Sequence, residues 1–360
     1  VSRKSDRRWS AHHFFYHGDL DVALRNFVAP AVAELLSRRL IDRFFFVRYT
    51  VGGPHLRLRV RLAAESEVAA ANVAAILRAD ADRFLAHFPA ERALDRDRIR
   101  AESRSVLAQV PEPSELYYEP NSLVPFPFTP ESERYGGRHL LQPTLDFFAI
   151  SSAQALEAVG DPCWESAGRR GALALRLLFR QALGFAAGGR ELLRHLGYRL
   201  PVAPEVADEI WTKADRDFEA RRETYGALLR HEIALLAEGE AGEPIWPSAS
   251  FLYRAARRLS QAVAEAAPQT RWQIGHSHLH MTANRLGYFP VQEMYLQRIL
   301  GRAAGDLETI DPVVWRRATA PCGRKPIPAA ALRPLVEPVI RHLERGSPPT
   351  WSARLPIASP

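Results

Sequence analysis

The chain has 360 residues, 47% of them hydrophobic and 25% charged, which are the proportions of a folded protein and not a disordered one. It is long enough for two domains, because single cores stop growing beyond ~250–300 residues, and no apolar run approaches the ~20 residues that a bilayer span needs. The formal charge of +7, from 48 basic and 41 acidic residues, suits either a solvated surface or an acidic peptide partner; without a zinc finger, an RNA-binding aromatic signature or a basic helical region it gives no case for nucleic acid.

The opening Val1–Arg8 is charged and has no apolar stretch behind it, so a cytoplasmic protein without membrane contact is expected. Two cysteines, Cys163 and Cys322, are too few for a disulfide framework or a cysteine zinc site.

In chain order, His12–His17 (HHFFYH) is predicted as a short aromatic strand. Asp19 is placed to cap a helix over Leu20–Leu40, where Val22, Leu24, Val28, Val32, Leu35 and Leu36 form a stripe and Pro30 should kink or split the helix. Arg43–Thr50 (RFFFVRYT) is the next strand, and Gly52-Gly53-Pro54 makes a turn. His55–Leu62 (HLRLRVRL) alternates, with Leu56, Leu58, Val60 and Leu62 on one face and His55, Arg57, Arg59 and Arg61 on the other. Glu65–Phe88 is an Ala-rich helix, and Glu115–Glu119 (ELYYE) a closing strand.

This β-α-β-β-α-β order predicts a ferredoxin-like sandwich over residues 9–120, with both helices on one sheet face. The Leu/Val face should pack on those helices. The His/Arg face is expected to look at solvent, a ligand or another domain, because its cations repel one another in a dry site unless anions oppose them. Asn121–Pro130 (NSLVPFPFTP) reads as a linker or lid and not a strand. Residues 121–360 are then mainly helical, with helices over Ile150 to about Leu196, Pro204–Glu238, Pro247–Ala267 and Pro328–Leu343. Trp272–Leu286 begins in strand-like alternation and ends in a helix-forming segment. The fold class expected is α+β.

Three features carry candidate chemistry. His276, His278 and His280 would share one face of a strand, but their Cα atoms would lie ~6.5–7 Å apart and no carboxylate accompanies them. One histidine acting as acid or base, or a hydrogen-bonded structural residue, is expected in place of a metal site. Glu131 and Arg134 lie three apart before Gly136-Gly137, as an ion pair holding a loop or as groups at a ligand that the glycines let approach. The Arg residues of HLRLRVRL suit a peptide carboxylate or an acidic segment, or else form a charged outer face. Walker A, GxGxxG, GxSxG and HExxH motifs are absent, which weighs against nucleotide, nicotinamide and simple hydrolase chemistry.

Trp9 with HHFFYHGDLD, then FFFVRYTVGGPHLRLRV, ERYGG and SHLHMTANRLG, occur in that order. As an ordered set, over roughly Trp9 to Leu300, they closely resemble the glutamate-elimination domain of class I lanthipeptide dehydratases in its stand-alone thiopeptide-biosynthesis form. The resemblance implies a cofactor-free, metal-free enzyme acting on a ribosomally made precursor peptide with an acidic leader, alongside other enzymes of a thiopeptide pathway.

Two activities share this domain. A pyridine synthase joins two dehydroalanines in a formal [4+2] aza-cycloaddition and expels water and the leader peptide. An eliminase removes glutamate from glutamylated Ser. The resemblance puts the elimination groups at Arg57, Arg59, Arg134 and His280, with Glu131 nearby. The family's charged stretch after the Gly-Gly turn is here Leu141–Phe148 (LQPTLDFF) followed by Ser151-Ser152, which favours the cyclase. Cycloaddition needs orientation, a proton donor, a base and aromatic walls. His280, Tyr288, Ser277, Glu131 and Arg134 are the expected catalytic groups. Trp272, Arg57, Arg59, His55 and Tyr295 are the expected substrate contacts, with the leader along the basic face of the sheet. The third reading is a non-catalytic scaffold that only binds the leader.

Overall fold

The computed structural model describes residues 8–90, 94–109, 115–186, 188–197, 203–239, 247–266 and 270–310. The expected helix at Pro328–Leu343 and Cys322 lie outside them. Four strands, β1 (Trp9–Phe15), β2 (Ile41–Tyr49), β3 (His55–Leu62) and β4 (Ser122–Phe126), form an antiparallel sheet in the order β2-β3-β1-β4. Helices make up most of the rest.

Between β1 and β2, Asp19 caps α1 (Leu20–Ala23) by accepting the Asp21 N–H at 2.8 Å. The expected break at Pro30 takes a definite form. Proline has no N–H for the Asn26 carbonyl, and the helix widens to π geometry over Leu24–Val28 before resuming as α2 (Ala29–Ser37). Ser66 caps α3 (Glu67–His87), and a charged helix, α4 (Arg96–Gln109), follows that the sequence pattern does not announce. Leu56, Leu58, Val60 and Leu62 are buried beneath the helical layer, where Phe14 packs on Phe27 and Phe84 with centroids 4.8 and 5.8 Å away.

The fourth strand corrects the sequence reading. Glu115–Glu119 is not a strand; Tyr117 makes only an isolated bridge to Gly52. The strand forms instead within the expected linker, at Ser122–Phe126, so the sheet runs past residue 120. Pro125 is compatible with this because β4 pairs with β1 alone, and an edge position needs no N–H on its outer side.

The His/Arg face is also not open. Phe15 stacks on Tyr118 at 4.3 Å, His13 on Phe126 at 3.8 Å, and Phe128 covers Trp9 and Phe45 at 5.5 and 6.2 Å. Aromatic cover and one carboxylate make the cations tolerable: Arg57 lies 3.4 Å over the Tyr49 ring and Arg59 5.5 Å over Phe45, while Arg61 donates to the two oxygens of Asp42 at 2.6 and 2.9 Å.

The helical region comprises α5 (Arg138–Gly160), α6 (Ala167–Phe185), α7 (Gly189–Leu196), α8 (Pro204–Ala220), α9 (Arg222–Gly239), α10 (Pro247–Ala266), α11 (Arg271–Arg285) and α12 (Pro290–Ile310). Every residue of α5 from Pro143 to Val159 is buried, so it is the central helix. Two of its polar residues reach the sheet: Asp146 accepts from Arg43 at 3.3 Å, and the Ser152 hydroxyl accepts the Phe46 N–H at 3.1 Å. From α11, Arg285 donates to the Phe46 carbonyl at 3.0 Å. Side chains of two helices thus occupy the outer edge of β2, which would otherwise be open to another strand.

Trp272–Leu286 shows no strand-like start. Arg271–Arg285 is one helix, and Ile274, His278, Met281 and Arg285 form its buried stripe at helical spacing. The apparent alternation comes from polar histidines that the helix sends to different sides.

Candidate functional site

Some of the expected groups, Glu131, Arg134, Ser277, His280 and Arg59, lie where the basic side of the sheet, the turn before α5 and the middle of α11 come within electrostatic reach of one another. The turn Glu131–Gly137 holds a short 3-10 segment, Glu133–Tyr135. Gly136 and Gly137 have φ of 86° and 94°, a left-handed pair that turns the chain into α5 and that other residues rarely adopt. Arg134 donates to Glu131 at 3.3 Å. Both side chains are well exposed, at 41% and 64%, so the pair is a weak strut and both groups stay open to a substrate. The part of the Arg134 guanidinium that is shielded from water loses some hydration, but Tyr135, Glu131 and Glu293 outweigh this and hold it above its ordinary value.

Tyr135 is buried between Phe148 and His278, with centroids 5.2 and 4.9 Å away. Burial pushes its hydroxyl up to about 12, against the pull of Arg134, so it stays protonated and can donate.

On α11 the three histidines have three environments. His276 is buried beside α7, and burial, with His280, His195 and Arg134 adding, holds it down to about 3. His278 lies fully buried among Phe147, Phe148, Phe185 and Tyr135, and burial keeps it well below its ordinary range. Both are neutral at physiological pH.

His280 alone of the three reaches the surface, with a quarter of its side chain exposed. Its Nδ1 lies 2.7 Å from Glu293 Oε2, and Glu293, fully buried on α12, also accepts from Gln297 at 2.8 Å. Ser277 sits one turn before His280, half-buried on a neighbouring position of the same helix face.

Arg285, one turn past Met281, is fully buried over the Phe148 ring at 4.5 Å and has no carboxylate partner among the described residues. Burial brings it down to about 9, with Arg59 adding to the drop and Tyr135 opposing, and it remains a cation at neutral pH. Arg59 is thereby tied from β3 to this cluster.

The remaining expected residues lie elsewhere. His55 is buried in the sheet, where Arg57 donates to its Nε2 at 3.2 Å and its Nδ1 meets the Gly53 carbonyl at 2.8 Å. Arg57 can only donate, so the His55 proton is on Nδ1. Tyr288 follows the turn that closes α11 and faces Asp21 and Arg170; burial raises its hydroxyl to about 12. Trp272 stacks under Arg194 at 4.2 Å, two turns from His280 along α11. Tyr295 donates to Asp217 at 2.5 Å, on the side of α12 opposite to Glu293 two residues earlier.

Sequence reasoning missed Tyr135, Arg285 and Glu293. The first two lie inside the motifs ERYGG and SHLHMTANRLG; Glu293 lies 13 residues after His280 on another helix, with no motif to mark it. Among the described residues no group of three His, Cys, Asp or Glu could hold a metal ion, and no helix is long and apolar enough to cross a membrane.

The family model for the C-terminal part of lantibiotic biosynthesis dehydratases matches residues 9–304. Among solved structures, the chain is similar to TbtD, the pyridine synthase from thiomuracin biosynthesis, at 19% identity and a TM-score of 0.66, over 84% of this chain and 99% of that one. It is similar to the tRNA-dependent lantibiotic dehydratase MibB from Microbispora sp. 107891, at 20% identity and a TM-score of 0.56, over 86% of this chain but 29% of that one. TsrL matches at 17% identity and a TM-score of 0.52, over 88% of this chain and 99% of that one. At these identities the likeness is one of fold. No curated protein sequence matches.

Proposed function

The chain belongs to the lantibiotic biosynthesis dehydratase C-terminal family, and from that premise we propose that it is a pyridine synthase of thiopeptide biosynthesis. It joins two dehydroalanines of a leader-bearing, azole-containing peptide in a formal [4+2] aza-cycloaddition and releases water and the leader, giving a pyridine-centred macrocycle. The observation that carries the reading is the convergence of proton donors and one surface-reaching imidazole, His280, on a single locus beside Glu131 and Arg134. The correspondence with TbtD over nearly the whole of that chain supports it.

The reaction needs an amide to tautomerise to an aza-diene, with a donor at its oxygen and a base at its N–H. In this assignment Arg134 and the Tyr135 hydroxyl hold the carbonyl oxygen, and His280 takes the proton from nitrogen. Ser277, one turn away, relays or returns a proton, and Glu131 sets the Arg134 guanidinium. Holding two alkenes face to face supplies most of the remaining effect. Arg59 reaches the substrate from the sheet side, while His55 and Arg57 support it from within the sheet.

The strand order β2-β3-β1-β4, with helices in both crossovers, supports a ferredoxin-like N-terminal domain, which we assign to leader binding. The helical remainder is then the catalytic region, working with the other enzymes of the pathway.

A second reading, glutamate elimination, is favoured by one observation: Arg59, Arg134 and the unpaired Arg285 put more positive than negative charge at the site. Mass spectrometry separates the readings. Incubation with a leader-bearing thiazole peptide holding two dehydroalanines is expected to release the leader, lose water and develop a pyridine chromophore, and His280→Ala to abolish this. An unchanged peptide, with glutamate lost instead from a glutamylated substrate, would assign elimination; reaction with neither would leave a leader-binding scaffold.

A further inference from the structure

We propose that Glu293 is the positioning residue of the site, holding His280 in the Nδ1–H tautomer so that the Nε2 lone pair faces the substrate. This deepens the reading above and rests on His280 being its base. The argument is geometric. Glu293 is fully buried, and both of its oxygens are engaged: Oε2 with His280 Nδ1 at 2.7 Å and Oε1 with the Gln297 amide N–H at 2.8 Å. A carboxylate accepting on both oxygens requires Nδ1 to carry the proton. Free imidazole side chains favour the other tautomer, which would present an N–H and no base. No described residue bonds Nε2, and the ring is a quarter exposed, so the open edge carries the lone pair.

The two partners come from different helices, and Gln297 lies one turn beyond Glu293 on α12, where it fixes the carboxylate plane. Such an orienting carboxylate behind an imidazole acts through that imidazole and never meets the substrate. The groups facing His280 are the neutral His276 on its own helix and Glu293 on α12; Arg134, from the turn before α5, feels both His276 and Glu293.

Glu293→Gln is nearly isosteric and gives a directional test. If Gln297 keeps donating to Oε1, the new amide N–H₂ faces His280, Nδ1 must become an acceptor, and the proton moves to Nε2, where it occupies the base. Glu293→Met removes the acceptor while filling the volume. Full-length protein with ¹⁵N-labelled histidine, at about pH 8.5 where an ordinary imidazole of pKa ~6.5 is neutral, reports the tautomer by long-range ¹H–¹⁵N correlation, with His280 assigned from His280→Asn.

Wild type is expected to show the Nδ1–H form. Both variants should lose it, keep the melting temperature within a few degrees, and lower kcat by ~10²–10⁴-fold with KM within about threefold. An Nε2–H wild type, an Nδ1–H form that survives both substitutions, or unchanged turnover after the tautomer has switched would overturn the proposal. Should wild type itself leave the peptide unreacted, the cyclase reading fails while the tautomer still decides whether Glu293 orients His280.

Discussion

Asn284 on α11 grips both backbone polar groups of Arg48 on β2: its Oδ1 accepts the Arg48 N–H at 3.0 Å, and its Nδ2 donates to the Arg48 carbonyl at 2.9 Å. The side-chain amide does what the backbone of a neighbouring strand would do. It also fixes α11, and with it His280, at a set height on the sheet. Replacing Asn284 by Leu leaves a donor and an acceptor without partners at a partly buried site, at about 1–3 kcal/mol each. Asn284→Leu is therefore expected to destabilise the protein by about 2–5 kcal/mol in urea unfolding. Asn284→Asp should cost less, because it keeps the acceptor for the N–H.

The Arg48 side chain fixes the same junction from the other side. Its guanidinium donates to Asp21 Oδ1 at 2.5 Å and to the Arg285 carbonyl at 3.1 Å, at the C-terminal end of α11 where a cation is favoured. Gly287, with φ of 84°, turns the chain over that guanidinium, and a Cβ there would stand 3.3 Å from Arg48. Asp21 also accepts the Trp164 indole N–H at 2.8 Å. Burial alone would raise the Asp21 carboxyl, but Arg48 and Trp164 bring it below its ordinary value. Asp21→Ala leaves Arg48 buried without its carboxylate, and a loss of about 3–5 kcal/mol is expected. The Trp164 environment should change with it, read as a shift of tryptophan emission in the folded state.

Much of the N-terminal fold is legible because period and position agree there. HLRLRVRL alternates over its whole length and forms β3, and Asp19 stands where a cap is needed and caps. The failures have physical causes. β4 hides because Pro125 argues against a strand except at an edge, and edge position is a property of the assembled sheet. α11 reads as alternating because His276, His278 and His280 are all polar by type, yet one faces α7, one the aromatic core and one the surface. The His280–Glu293 contact spans two helices and a turn, and no local pattern carries it. Trp272 and Tyr295 lie near His280 in sequence, but helical rise and rotation carry them away from it.

The buried histidines make a sharp prediction about acid. His12 and His195 are held down to about 4, His55 and His276 to about 3, and His13 and His278 well below their ordinary range, in every case chiefly by burial. Each is neutral when folded and titrates near ~6.5 when unfolded, so the unfolded chain binds the extra protons. The stability they protect is present above about pH 6.5 and is lost as pH falls toward the folded values, at up to ~1.4 kcal/mol per pH unit for each group. Against a net stability of about 5–15 kcal/mol, these groups together are enough to unfold the protein between about pH 5 and 6. Circular dichroism against pH should show that midpoint. His278→Leu should lower it, because neither His278 ring nitrogen has a hydrogen-bond partner among the described residues and its neighbours are aromatic. A midpoint below about pH 4 would mean that these histidines become protonated inside the fold.

The Glu131–Arg134 pair allows a separation of stability from turnover. At 3.3 Å, with both side chains well exposed, it contributes at most about 1 kcal/mol to folding. Glu131→Gln and Arg134→Gln are therefore expected to leave urea midpoints nearly unchanged. If Arg134 and the protonated Tyr135 hydroxyl hold the oxygen on which negative charge develops, Arg134→Gln should lower kcat by ~10²-fold or more, the usual cost of losing one such donor. Arg134→Lys should recover only part of this, since an ammonium keeps the charge but loses the planar fork. Glu131→Gln leaves the cation in place but no longer held, so its loss should be smaller and fall more on KM. A parallel fall of stability and activity in Arg134→Gln would instead make the pair a strut of the turn, and the oxygen would then have to be held by Tyr135 with Arg59.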